Sequence, residues 1–195
     1  MNYNASGSLA PHEILTNPLA SRELVACFEK DMVHVGDVAG VTTFDTGEVM
    51  VQGKITEQAW ADGESSLYGQ AGPKLTITAG DLARVVIEGN PREVRVGGDA
   101  SVLVFGFPAN VVVEGNGVLT IIDTAHDGRV PVVHFKDLGS VRILSPGDQA
   151  TPPTDEFRYE LNKLFPEGAA NPRYLGLVAL LEQSDDRFLS RPEEF

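Results

Sequence analysis

Cations are scarce in this chain. Its 195 residues carry 15 Lys and Arg against 28 Asp and Glu, a formal charge of −13. A surface that negative repels phosphates and anionic lipid, so neither direct nucleic-acid binding nor membrane binding is expected. Cysteine is almost absent: Cys27 stands alone, which excludes an internal disulfide framework. No apolar run approaches the roughly 18 residues of a membrane span. The opening MNYNASGSLAPHEIL has neither the basic nor the apolar region of a secretory signal. These absences together point to the cytoplasm. Common chemical motifs are missing too: G-x-x-x-x-G-K-[ST], G-x-S-x-G and H-E-x-x-H do not occur. Gly115-Asn116-Gly117 stops short of G-x-G-x-x-G, and no cofactor is expected.

What is present is 42% apolar residues, enough for a core, in three zones. Residues 1–32 read as an N-terminal helical cap. Asn17-Pro18 gives a cap followed by proline, and Leu24, Cys27, Phe28 and Met32 follow at helical spacing. Cys27 falls on that apolar stripe as a small buried hydrophobe. Residues 149–195 predict two more helices, one after Thr154 with Phe157, Leu161 and Leu164 on one face, one after Asn171-Pro172, and then a charged tail. Both should pack on the middle zone, since isolated helices of this length are marginal in water.

The middle zone, 33–148, is repetitive and β-rich. Gly53, Gly63, Gly72, Gly80, Gly89, Gly98, Gly106 and Gly115 recur at intervals of 8 to 10 residues. Between the later ones, and just past the last, lie the short runs LTIT, VVI, VRV, VLVF, VVV and VLTII. A turn every nine residues makes either a β-solenoid, which we favour, or an antiparallel sandwich or jelly roll. Asp99 to Gly115 contains DASVLVFG and its near copy PANVVVEG. Residues 75–125 thereby resemble the short glycine-punctuated repeats of bacterial and phage β-solenoid proteins. That resemblance implies a fold and no catalytic residue. Residues 36–70 are irregular, with Trp60 and Tyr68 interrupting the pattern.

Several of these runs are apolar on both sides of the strand, so both sides must be covered. If Val102 and Val104 point inward, the outer face carries Leu103, Phe105, Leu119 and Ile121. The terminal helices are the expected lid; a second copy of the chain or a partner is the alternative.

For chemistry, Asp123, His126, Asp127 and His134 fall within twelve residues. Asp123, His126 and His134 could meet around a metal, although Asp123-Thr124 and Asp127-Gly128 also suit ordinary turns. The Gly-His-Gly element of some pectinolytic β-helix enzymes and the His-x-His pair of cupins are missing. Function is therefore expected from charge rather than catalysis. No Lys or Arg occurs from Val96 to Gly128, a run holding Asp99, Glu114, Asp123 and Asp127. On a coiled scaffold, outward carboxylates stack at roughly 4.8 Å. A row of them fits a groove built for phosphates. The expectation is an inhibitor of the phage anti-defence or toxin-immunity type, docking on a basic nucleic-acid-handling protein. Alternatives are an oligomeric solenoid module of a phage or bacterial assembly, and a metal-dependent enzyme at Asp123, His126 and His134.

Overall fold

The computed structural model describes residues 14–16, 24–125, 129–146 and 154–189. Fifteen strands join one sheet wound into a β-solenoid of about six turns. One side, the near face, holds β1 (Ile14–Thr16), β3 (Asp31–Val35), the first half of β5 (Glu48–Ala61), β6 (Ser66–Ala71), β8 (Arg84–Glu88), β10 (Ser101–Phe105), β12 (Val118–Ile122) and β14 (Ser140–Pro146). The far face holds β2 (Leu24–Phe28), β4 (Val38–Phe44), the second half of β5, β7 (Thr76–Ala79), β9 (Glu93–Val96), β11 (Asn110–Val113) and β13 (Val132–Phe135).

Every pairing in this stack is parallel, which eliminates the antiparallel sandwich. Arg84 lies beside Ser101, and Ser101 beside Val118, so one coil takes 17 residues and contains one strand of each face. The nine-residue clock is half of that coil. The last step, from Val118 to Ser140, takes 22 residues; the extra five enter the corner between β12 and β13. The irregular stretch 36–70 forms ordinary coils. In it β5 runs from one face to the other without a break, bending where its register shifts between Met50 and Lys54. Trp60 points outward on the far face, beyond the stacked rings of Phe28 and Phe44 (5.3 Å between centroids). The core therefore never meets it.

The expected N-terminal helix is not there. Residues 24–28 and 31–35 are strands, and Asn17-Pro18 lies outside the described residues. Leu24, Ala26 and Phe28 are exposed while Val25 and Cys27 are buried. That is a period of two, and β2 pairs with β4 along its whole length. Leu24, Cys27 and Phe28, though at helical spacing, lose to a sheet edge that pairs the strand along one side and buries Val25 and Cys27. Cys27 is buried as expected. Its thiol donates to the carbonyl of Lys30 at 2.9 Å, and burial pushes its pKa up.

Inward side chains stack in columns, since in-register parallel coils put like positions over like. Leu67, Val85, Val102, Leu119 and Val141 form one column, and Ile87, Val104, Ile121 and Ile143 another. Leu119 and Ile121 are thus core residues, and their expected place on the outer face is corrected. Val102 aligns with Leu119, so the outward neighbours of Leu103 and Phe105 are Thr120 and Ile122. The phase slips by one because Ala100, small and inward, aligns with Gly117 rather than with Val118. In a strand, one residue exchanges the two faces.

The outer near face is covered by the chain's own helices α1 (Thr154–Leu164) and α2 (Pro172–Leu181). Phe157, Leu161, Phe165, Leu177, Leu180 and Leu181 bury against Tyr68, Val86, Leu103, Phe105, Ile122 and Leu144. At α2 the Asn171 side chain accepts from the backbone N–H of Arg173 at 3.0 Å, with Pro172 at the first helical position. Three ion pairs tie the helical layer down: Glu160 to Arg84, Lys163 to Glu48 and Arg173 to Glu88. The expected charged tail contains β15 (Ser184–Leu189), antiparallel to β14. It supplies the backbone partners that the last near-face strand would otherwise lack.

Candidate functional site

Each coil turns twice, and the two corners differ in charge. Where the far face passes to the near face, one residue per coil adopts the left-handed conformation. These residues are Glu29, Asp45, Gly63, Asp81, Gly98 and Gly115, with φ from 48° to 71°. Backbone hydrogen bonds run up this corner from coil to coil: Glu64 N–H to Asp45 O (2.7 Å), Leu82 to Gly63 (3.0 Å), Asp99 to Asp81 (2.7 Å) and Asn116 to Gly98 (2.7 Å).

Ten carboxylates sit on this edge. Glu29, Asp31, Asp45 and Glu48 come from the first two corners, Asp62, Glu64 and Asp81 from the next two, and Asp99, Glu114 and Asp137 from the last three. None is buried. Three cations, Lys30, Arg84 and Lys136, share the edge. Turn chemistry explains Asp45 and Asp81, because Asp tolerates the left-handed conformation. It does not explain Asp31, Glu48, Asp62, Glu64, Asp99, Glu114 and Asp137, which lie outside the left-handed positions, nor Glu29, a left-handed residue of a type less suited to that conformation than Asp. Seven corners at about 4.8 Å span about 29 Å. Seven net negative charges over that length are about one per 4 Å, close to the ~3.4 Å of axis per charge along one strand of duplex DNA.

Local contacts trim this field without abolishing it. Lys136 pairs with Glu114, and Lys163 of α1 pairs with Glu48 at 2.5 Å. That contact raises the pKa of Lys163, chiefly through its hydrogen bond to Glu48. Asp99 Oδ1 accepts from the Asn116 amide at 2.9 Å, and Asp137 accepts from the backbone N–H of Gly115 at 3.2 Å. Among the described residues the opposite corner carries the exposed cations Lys54, Lys74, Arg92 and Arg129, with Asp37, Glu57 and Glu93 among them. The coil stack is electrically two-sided.

Of the expected site residues, Asp99 and Glu114 lie on the acidic edge. Asp123 does not: it is fully buried at the opposite corner, where its Oδ1 accepts from the N–H of Ala125 at 3.0 Å. A carboxylate there closes a turn and offers no surface charge. Asp127 and His126 lie outside the described residues. His134 is exposed on the far face, in register with Val112. The structure thus separates Asp123 from His134. Among the described residues no three His, Cys, Asp or Glu side chains gather as metal ligands. No helix there is long and apolar enough to cross a membrane.

Sequence reasoning missed Asp45, Asp62, Glu64 and Asp81 as members of the edge. The signal was present in the glycine clock, whose members alternate between corners. Gly63, Gly80, Gly98 and Gly115 mark the acidic corner, and Asp62, Asp81, Asp99 and Glu114 each adjoin one of them. Gly53, Gly72, Gly89 and Gly106 mark the other. No protein-family model, no curated protein and no solved structure matches the chain.

Proposed function

We propose that this chain is an acidic protein-binding inhibitor, of the phage anti-defence or toxin-immunity class, that acts in the cytoplasm. It seats its acidic edge in the phosphate-binding groove of a basic, nucleic-acid-handling protein. The observation that carries the reading is the gathering of ten unburied carboxylates on one corner of the coils, on average about one net charge per 4 Å along it. A rigid ladder of this kind meets a phosphate groove without reorganising, and its field speeds encounter with a basic partner in a salt-dependent way.

The test uses charge reversal at positions outside the left-handed turns. A partner is first captured and identified, and its nucleic-acid binding confirmed. The variant Asp62→Lys/Glu64→Lys/Asp99→Lys is expected to lose that partner. Asp37→Lys/Glu57→Lys, on the opposite corner, is expected to keep it. Duplex DNA should compete with the native chain for the partner. Equal binding by both variants, or DNA and this chain bound together, would overturn the proposal.

A second reading, a stacking module of a phage or bacterial assembly, draws on the far-face edge. Among the described residues β13 is paired on one side only, and Val130, Val132 and Leu138 are 61%, 56% and 87% exposed there. Light scattering on the purified chain decides: rods growing with concentration favour this reading, a monomer the first.

A further inference from the structure

Three aromatic side chains point out of the far face on three successive coils: Phe28 of β2, Phe44 of β4 and Trp60 of β5. Phe28 and Trp60 are half exposed, and Leu24 stands exposed on the same strand as Phe28. The ring centroids step by 5.3 Å and then 6.2 Å along the stack. Each of these strands runs straight into the acidic corner. Glu29 follows Phe28, Asp45 follows Phe44, and Asp62 lies two residues past Trp60. Lys30 is the cation beside them. Clustered exposed aromatics rimmed by charge mark a protein-binding surface, because buried aromatics are the strongest anchors of protein interfaces.

Apolar rings and carboxylates run side by side here, so the complement must present apolar and cationic side chains side by side at a matching repeat. An α-helix laid along the coil axis repeats one face about every 5.4 Å, a drift of about 0.6 Å for each coil of about 4.8 Å. A strand laid the same way repeats one face about every 6.7 Å and drifts by about 2 Å per coil. We propose that the aromatic strip and the acidic corners beside it dock a basic amphipathic α-helix of the partner protein. The helix lays its apolar stripe on Phe28, Phe44 and Trp60, and Lys or Arg side chains on one flank reach Glu29, Asp45 and Asp62. The assignment rests on the reading that the acidic edge binds a basic protein, and it names the element of that protein that seats there.

The probe is a peptide of Leu, Arg and Ala, roughly 18 residues long so that it can form a helix, with Leu at every third or fourth position and Arg along one flank. The controls are a scramble of it without helical periodicity and a version with Glu in place of Arg. Trp60 is the chain's single tryptophan, so its fluorescence reports directly from the strip. The Leu/Arg helix is expected to shift that emission to the blue saturably, and each control to bind at least about tenfold more weakly. Phe28→Ser removes an outward ring and should weaken the helix by a similar factor. Glu29→Gln/Asp45→Asn/Asp62→Asn leaves Asn at the left-handed position of Asp45, which it tolerates, and should flatten the salt dependence of binding. It keeps the test decisive if Phe28→Ser does not fold. No saturable shift, equal binding of the scramble, or undiminished binding by both variants would overturn the assignment. So would an emission that moves with protein concentration alone, which places a second copy on the strip. If Asp62→Lys/Glu64→Lys/Asp99→Lys loses the captured partner but the peptide leaves Trp60 unmoved, the helix is refuted and the acidic edge still stands. If the peptide seats as expected but DNA and this chain bind the partner together, the helix stands and the phosphate-groove reading falls.

Discussion

Replacing Gly106 by alanine should cost far more than the added methyl suggests. Gly106 lies directly over Gly89 at the corner opposite the acids. A Cβ there would fall onto the carbonyl oxygen of Gly89, 2.6 Å from its carbonyl carbon and 3.0 Å from Asn90 Oδ1. Non-bonded carbons settle at about 3.5–4.0 Å, so the two coils must part by about 1 Å. Two hydrogen bonds cross that gap, Gly89 N–H to Phe105 O and Phe107 N–H to Asn90 Oδ1, both 2.8 Å. Stretching them by about 1 Å breaks both, at roughly 0.5–1.5 kcal/mol each. Displaced packing adds about 1–3 kcal/mol. The expected loss is about 2–6 kcal/mol, against the 5–15 kcal/mol or so that holds a domain together. The control is Gly115→Asn. Gly115 has φ 61°, a conformation that Asp45 and Asp81 already adopt at the same corner (54° and 48°), and a Cβ there would come 2.9 Å from the carbonyl oxygen of Gly98, a milder approach than at Gly106, so its cost should be smaller, about 1–2 kcal/mol. Urea unfolding midpoints of the two variants, at matched m-values, measure the difference. If Gly106→Ala loses no more than Gly115→Asn, coil-to-coil contact is not what selects glycine there.

Val104→Asp places a carboxylate in the inner column between Ile87 and Ile121; it should abolish cooperative unfolding by calorimetry, and a native-like transition would refute the core assignment. His34 is fully buried with both ring nitrogens unpartnered; His34→Leu should stabilise by about 1 kcal/mol or more in urea, and destabilisation would refute that account. Burial raises the pKa of Glu88 and of Glu160, opposed by Arg173 and Arg84. The folded chain therefore holds these protons more tightly than the unfolded one. Their stabilising contribution is full below the ordinary carboxylate pKa and fades as pH rises through the raised values. The Tm difference between the native chain and Glu88→Gln/Glu160→Gln should change in that direction over the acid range, and a pH-independent difference would contradict it. Self-repulsion along the acidic edge should make Tm rise as salt shortens the Debye length from about 30 Å to about 8 Å; a flat response would mean the carboxylates are already neutralised.

The glycine spacing and the β-branched runs made the solenoid readable, because both come from local rules: tight corners and pleated, two-sided burial. Asn171-Pro172 announced α2 for the same kind of reason. Three features depended on partners distant in sequence. Leu24, Cys27 and Phe28 fit a helix until β4 is placed beside them. Ser184–Leu189 looked like a polar tail until β14 needed an edge partner. Leu119 and Ile121 changed sides because facing is fixed by register with Val102 and Val104, and register is a property of two coils. The acidic edge was half legible. Asp99 and Glu114 were found from the missing cations around them, while Asp45, Asp62, Glu64 and Asp81 required a 17-residue period to be recognised instead of a nine-residue one.

β15 runs against the direction of every coil beneath it. A stack of parallel rungs is a growing template, ready to accept another rung in the same sense from any copy of itself. By doubling back over β14, the chain gives that side of the stack a rung of opposite polarity, which offers no parallel template to a further coil in the same sense.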